Sequence, residues 1–278
     1  MQTVAVAGGS REEILELVRL SRKEFNNEVK FIIFDTEDNI DSEESWEYRQ
    51  FDSEKEMMEE TVKSVVSKEA DILLKGGIKT HTLLKEVLKK EYNLKAQDLL
   101  SHVALVNSPA LDRQILLTDA GMNIAPSEDQ LVSIIENVKQ VGHSIGLNKP
   151  KIALLSSAEN FNPKMPSSVT AKNVTERFSE ATDAIVYGPL SLDLALSKEA
   201  VKHKRFEGPI AGDADILVVP NIDVGNVLYK SILLFGEATI GGTIVGTKVP
   251  IVLTSRSDKV RSKLYALKFA LMQIGQTI

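Results

Sequence analysis

The chain has 278 residues, 43% hydrophobic and 26% charged, with no cysteine and a formal net charge of −6. Length and composition fit an ordinary globular protein of about two domains. The missing cysteine excludes disulfides, thiolate nucleophiles and cysteine-ligated zinc.

The charge is uneven. Residues 35–60 hold 12 Asp and Glu against 2 Lys and Arg, leaving 31 basic and 27 acidic side chains elsewhere. The acidic stretch reads as a solvated loop and surface helix. The mildly basic remainder suits a small anionic ligand and falls far short of a nucleic-acid binder. No run of about 18 apolar residues predicts a membrane span. The first apolar stretch is short and lacks the basic flank of a secretory signal, so a cytoplasmic protein is expected.

Strand-like apolar runs alternate with helical patterns, the mark of an α/β fold. A strand at 3–6 leads through Gly8-Gly9 to Ser10-x-x-Glu13, a capping-box pattern that opens a helix. A strand at 31–34, a helix over 53–67 and a strand at 71–74 follow. Lys75-Gly76-Gly77 then feeds a helix over 80–90 with Leu83, Leu84, Val87 and Leu88 on one face. Strands are predicted at 103–106 and 116–122. Ser127-x-x-Gln130 caps a helix whose stripe is Leu131, Ile134, Ile135, Val138, Val141 and Ile145. Further strands fall at 152–155 and 184–186, and a last amphipathic helix covers about 259–274. No internal repeat or linker-like segment interrupts the pattern. The expected domains are 1–112 with 243–278, the terminal helix returning to the first domain, and 113–242.

Residues 214–258 carry the most information. An apolar run at 216–219 ends at Pro220-Asn221, a helical pattern and a Gly-rich segment follow, and a second run at 251–253 stops at Ser255-Arg256. In open α/β sheets, ligands bind at the carboxyl ends of strands. Arg256 offers a planar fork for phosphate or carboxylate, and Ser255 a hydroxyl for a developing oxyanion. Both also fit a surface turn. Asp258 fits a helix N-cap or a general base. Asn221, Gly225 and Asn226 offer amides and close backbone approach, or an Asx turn and cap. Gly241 and Gly242 belong to the Gly-rich segment.

Lys75-Gly76-Gly77 lacks the spacing of a P-loop, yet a strand, two glycines and a Thr80-capped helix suit a pyrophosphate. Gly8-Gly9-Ser10 is a weaker version. His81, His102, His143 and His203 form no close metal pair, so no metal site is expected, and the histidines read as structural. Lys164 reads as a solvated side chain with an anion contact as the alternative.

Five segments occur in order: Ala120-Gly-Met-Asn-Ile-Ala-Pro126, Asn162-Pro-Lys-Met-Pro166, Gly188-Pro-Leu190 with Asp193, Pro220-Asn-Ile-Asp-Val-Gly-Asn226, and Ser255-Arg256. Together they resemble the phosphate acetyl/butyryltransferases, or phosphotransacylases, and most of all the phosphate butyryltransferase and branched-chain branch. The similarity runs from about Asp71 to the C-terminus. It implies a two-domain α/β/α fold with mostly parallel sheets, like isocitrate and isopropylmalate dehydrogenases, with a ligand cleft between domains and a homodimer formed through the second domain. It implies reversible transfer of a short acyl group between CoA and phosphate in a ternary complex, without an acyl-enzyme. CoA is then a substrate, and no cofactor is permanently bound.

On this resemblance Arg256 holds the phosphoryl group and Ser255 hydrogen-bonds at the reacting centre. In acetyl-specific relatives an Asp stands farther downstream, where Ser262 and Lys263 occur here, so Asp258 is the nearest candidate base. A CoA thiol with a pKa of about 8.5 needs only modest help from a base. Two rivals remain from sequence: a metal- and NAD-dependent dehydrogenase, which needs a cluster of Asp ligands whose motif Asp193, Asp215 and Asp223 do not form, and a non-catalytic protein that binds CoA or acyl phosphate.

Overall fold

The structure is a computed structural model that describes residues 1–38, 40–43, 46–253 and 260–275. In chain order the elements begin β1 (Gln2–Ala7), α1 (Glu12–Glu24), β2 (Val29–Asp35), β3 (Glu47–Gln50), α2 (Glu54–Val66), β4 (Ile72–Lys75) and α3 (Thr80–Val87). They continue with β5 (Ser101–Asn107), β6 (Ile115–Thr118), α4 (Glu128–Ser144), β7 (Lys151–Leu155), α5 (Pro166–Arg177), β8 (Ile185–Leu190), α6 (Leu192–Leu196) and α7 (Lys198–Lys204). The last are β9 (Ile216–Val218), α8 (Ile222–Phe235), β10 (Thr239–Val245), β11 (Ile251–Leu253) and α9 (Val260–Gln273).

Two compact units result: Met1–Ala96 with Gly241–Ile278, and Gln97–Ile240. The chain leaves the first unit before the expected position after residue 112. The reason is that β5 forms an antiparallel ladder with β6, Val103 to Val106 against Thr118 to Ile115, and so belongs to the second unit. It returns within β10.

In the first unit the strand order is β3-β2-β1-β4-β11-β10, all parallel except β10. Val4 to Ala7 and Ile72 to Leu74 are fully buried, as expected of parallel strands covered on both faces. One face packs on α1 and α9, where Ile14, Leu17, Val18, Leu267, Ala270 and Leu271 meet Val4, Val6, Ile72 and Leu74. In the second unit the order is β5-β6-β9-β7-β8, parallel except for β5. The expected α/β architecture with mostly parallel sheets is borne out.

Ser127 and Gln130 form the expected reciprocal cap of α4. Other local readings need correction. Arg11, not Ser10, stands at the N-cap of α1, and the Ser10 amide instead donates to the Asp35 carboxylate at 2.7 Å. Thr80 does not cap α3: it is the first helical residue, and Lys79 occupies the cap position. The acidic stretch is not wholly solvated, since Asp35 and Trp46 are buried and 47–50 form β3. Helix α5 was not expected, because its apolar period is weak. Its signal was Pro166, well placed at the first helical turn.

Gly241 and Gly242 lie buried inside β10, not in a Gly-rich loop. A Cβ on Gly241 would collide with the backbone of Tyr265 and Ala266, so this glycine lets α9 press onto the sheet. Gly241→Ala is therefore expected to destabilise the fold by about 1–3 kcal/mol through overpacking. Ser127→Ala should cost about 1 kcal/mol through the lost cap. Urea denaturation checks both; a Gly241→Ala midpoint equal to wild type would contradict the packing account.

Candidate active site

Register decides what meets at the strand ends of the first unit. Ala7 pairs with Lys75 and with Phe34, and Lys75 also pairs with Leu253. The carboxyl ends of β1, β2, β4 and β11 therefore line up at one edge. Gly8-Gly9 and Gly76-Gly77, weak motifs when read apart, are brought together there. The Gly76 amide donates to the Ala7 carbonyl at 2.9 Å, and the Gly77 amide donates to the Gly8 carbonyl. A Cβ on Gly76 would strike Gly8, so one backbone rests directly on the other. A Cβ on Gly77 would fall 2.9 Å from Nε of Arg11, which places that guanidinium over the loop.

Lys75 is buried, and its Nζ donates to the Gly76 and Ile78 carbonyls at 3.2 and 3.3 Å. Its ammonium thus lies at the loop beyond β4. Gly242 precedes the Thr243–Val252 pair and so stands toward the carboxyl end of β11. Ser255, Arg256 and Asp258 follow β11 in the chain and lie outside the described residues.

In the second unit, Thr118, Val218 and Leu154 share one register row across β6, β9 and β7. Their carboxyl ends lead to the segments 119–126, 220–226 and, after β7, 162–166. Asn221 caps α8 by accepting from the Val224 amide at 3.0 Å. Gly225 is buried against the backbone of Asp119 and Ala120, where a Cβ would come within 2.8 Å of the Asp119 carbonyl oxygen. Its close approach is to the protein itself. Asn226 is exposed, with Nδ2 3.5 Å from the Ala120 carbonyl. In the Asn162 segment, Asn162 accepts from the Lys164 amide, and the Met165 sulfur accepts from the Ser156 and Ser157 hydroxyls. Lys164 itself is exposed.

Sequence reasoning missed the centre that holds this edge. Asp119 is buried and accepts from the amides of Gly121, Met122 and Asn123 at 3.0, 2.9 and 3.2 Å, and from the Asn123 side chain at 2.6 Å. Asn123 also donates to the Leu100 carbonyl. The signal was legible as Asp-x-Gly-x-Asn, an Asx-turn pattern. Beside it lies His102, whose ring meets Tyr229 edge-on at 6.2 Å. Burial pushes the His102 pKa below its ordinary value, against the opposing pull of Asp119.

Two of the three carboxylates named for a dehydrogenase, Asp193 and Asp215, are employed separately. Asp193 accepts from the Ser191 hydroxyl and pairs with Lys204 at 2.9 Å, and these contacts hold its pKa below the ordinary range. Asp215 accepts from the Lys151 amide. Among the described residues, no three His, Asp or Glu side chains cluster as metal ligands would.

An open, mostly parallel α/β arrangement with amide-rich strand ends defines a class of proteins that bind small anionic ligands at those ends. Comparisons narrow the class. Residues 49–271 match the family model described as phosphate acetyl/butaryl transferase. The chain is 36% identical over 285 residues to the phosphate butyryltransferase of Clostridium acetobutylicum, covering 99% of this chain and 94% of that one. It superposes on the crystal structure of a branched-chain phosphotransacylase from Enterococcus faecalis V583 with TM-score 0.96 and 58% identity, over 100% of both chains. A 4-hydroxythreonine-4-phosphate dehydrogenase from Klebsiella pneumoniae aligns over 98% of this chain and 99% of its own, at TM-score 0.59 and 10% identity, a likeness of fold alone. The chain belongs to the phosphate acetyl/butyryl transferase family, and the expectation of a phosphotransacylase with a dehydrogenase-like fold is borne out. The dehydrogenase activity is not favoured.

His102 yields a pH prediction. Unfolded histidine titrates near pH 6.5 and folded His102 below that, so both states are neutral only well above pH 6.5. As pH falls, the unfolded chain takes up the proton first and stability drops until the folded pKa is passed. The melting temperature should fall as pH drops through the ordinary histidine range, and His102→Phe should flatten that slope. An unchanged slope in the variant would contradict the assignment.

Proposed function

We propose that this phosphotransacylase transfers a butyryl or short branched acyl group between CoA and inorganic phosphate. The observation that carries the reading is the match over the whole chain, at 58% identity, to a branched-chain phosphotransacylase. In the proposed step the CoA thiolate attacks the carbonyl carbon of an acyl phosphate. A carbon–sulfur bond forms, the carbon–oxygen bond to phosphorus breaks, the thiol proton passes to a base, and phosphate leaves. The reverse direction makes acyl phosphate. The balance requires no resident cofactor, and CoA enters as substrate.

Arg256 is assigned to the phosphoryl oxygens, where a bidentate guanidinium offsets charge and fixes orientation. Ser255 is assigned to the reacting oxygen and Asp258 to the thiol proton. Leu253 pairs with Lys75, and Ser255 follows two residues later, which supports placing these roles beside the loop at 75–77. Lys75, Gly76, Gly77 and Thr80, with Gly241 and Gly242, are assigned to CoA and phosphate on the first unit. Asn221, Gly225 and Asn226 are assigned to substrate on the second. For Gly225 and Gly241 the assignment is indirect, since both are filled by neighbouring backbone.

A homodimer through the second unit belongs to the same proposal. Helix α8 is apolar yet leaves Val227, Leu234 and Phe235 66%, 75% and 84% exposed, the kind of patch that marks an interface. A cytoplasmic location completes the reading.

Arg256→Ala should lower kcat/KM for phosphate-dependent CoA release by about 100-fold or more, the usual scale for losing an electrostatic clamp. Its melting temperature should stay at the wild-type value. Unaltered kinetics would remove Arg256 from the phosphate site. Asp258→Asn separates two roles: loss of a base lowers turnover, whereas a helix cap is kept, because Asn caps about as well as Asp, and both rate and stability stay near wild type.

A further inference from the structure

Three of the five segments that carry the family resemblance converge on one small cavity in the second unit. Ala125 and Pro126 end the first segment, Pro166 ends the second, and Pro220-Asn221 opens the third; all line the same space of about 240 Å³. The cavity lies at the carboxyl ends of β7 and β9, beside the first turns of α4 and α5 and the Asn221 cap of α8. Its buried floor is wholly apolar, made by Leu131, Leu154, Leu155, Ala171, Val218 and Val219. Its rim is more exposed and holds the polar groups: Ser167, Thr170 and Asn221.

We infer that this cavity seats the hydrocarbon tail of the transferred acyl group and sets its length. The inference rests on the phosphotransacylase reading and extends it to a specificity pocket. Three features select the occupant. The volume is below the roughly 300–1,000 Å³ of clefts that take drug-sized ligands, so it fits a tail of a few carbons. A floor without polar side chains disfavours phosphate, ribose and the amides of a pantetheine arm, because each would lose hydrogen bonds there. A polar rim over an apolar floor matches an acyl group, whose tail is apolar and whose carbonyl end is not. Leu154 is fixed from behind by Gly188, whose missing Cβ leaves room for the Leu154 Cβ and carbonyl. The Gly188-Pro-Leu190 segment thus shapes the same floor.

Floor and rim variants test the assignment. Wild type is first profiled for phosphate-dependent CoA release with acetyl-, propionyl-, butyryl-, isovaleryl- and hexanoyl-CoA. Ala171→Leu fills the floor and Ala125→Leu narrows the exposed rim, a position where folding tolerates change. Each should lower the ratio of kcat/KM for isovaleryl-CoA to that for propionyl-CoA by about tenfold or more, the scale of one methylene in an apolar pocket. Leu154→Ala should shift the preference toward hexanoyl-CoA. If Ala125→Leu, folded by its melting curve, lowers all chain lengths equally, the cavity serves the part of CoA common to all and the inference fails. It also fails if both filling variants keep the wild-type profile. If wild type releases CoA with none of the thioesters, the functional reading is overturned and the pocket with it; a normal wild-type profile with insensitive variants overturns the pocket alone.

Discussion

The first unit depends on the position of β4 between β1 and β11. Because Lys75 pairs with Ala7 on one side and Leu253 on the other, three strands end in one row, and the loops after β1 and β4 share that edge. Gly76 makes that sharing possible, since any side chain there would strike Gly8. The chain that leaves β11 carries Ser255 and Arg256 two and three residues later. Strand register, more than any single motif, is what brings the two glycine pairs, Gly8-Gly9 and Gly76-Gly77, to one edge.

The second unit solves a different problem with the same geometry. Its strand ends must hold three connecting segments in fixed positions. Asp119 does this for the first by accepting four hydrogen bonds within 119–123, and Gly225 lets α8 close against that turn. A buried carboxylate is costly unless its oxygens are satisfied, and here the local amides satisfy them. The rigid turn carries the chain on toward Ala125 and Pro126. The apolar floor beneath is supplied by the strands themselves.

Much of this was legible in the sequence. Buried parallel strands read as short continuous apolar runs, which is why β1, β2, β4, β7, β9 and β11 were located closely. The Ser127–Gln130 box marked α4 because both halves of the cap are local. Features that depend on distant partners were misread. Ser10 has the right spacing for a capping box, but Asp35 on the neighbouring strand takes its amide. Gly241 reads as one of several glycines in a permissive segment, but its absent side chain is used by α9. The apolar cavity had no local signal at all, since its walls come from four separated stretches of chain. The motif order identified the family, while the contacts that give each motif residue its task appear only after folding.

The most direct test of the account is the fate of the acyl group. Purified protein would be incubated with butyryl-CoA and radiolabelled inorganic phosphate, and the products separated. The account predicts labelled butyryl phosphate and free CoA in equal amounts, with no labelled product when CoA thioester is omitted. Release of CoA with free butyrate and no labelled acyl phosphate would contradict it.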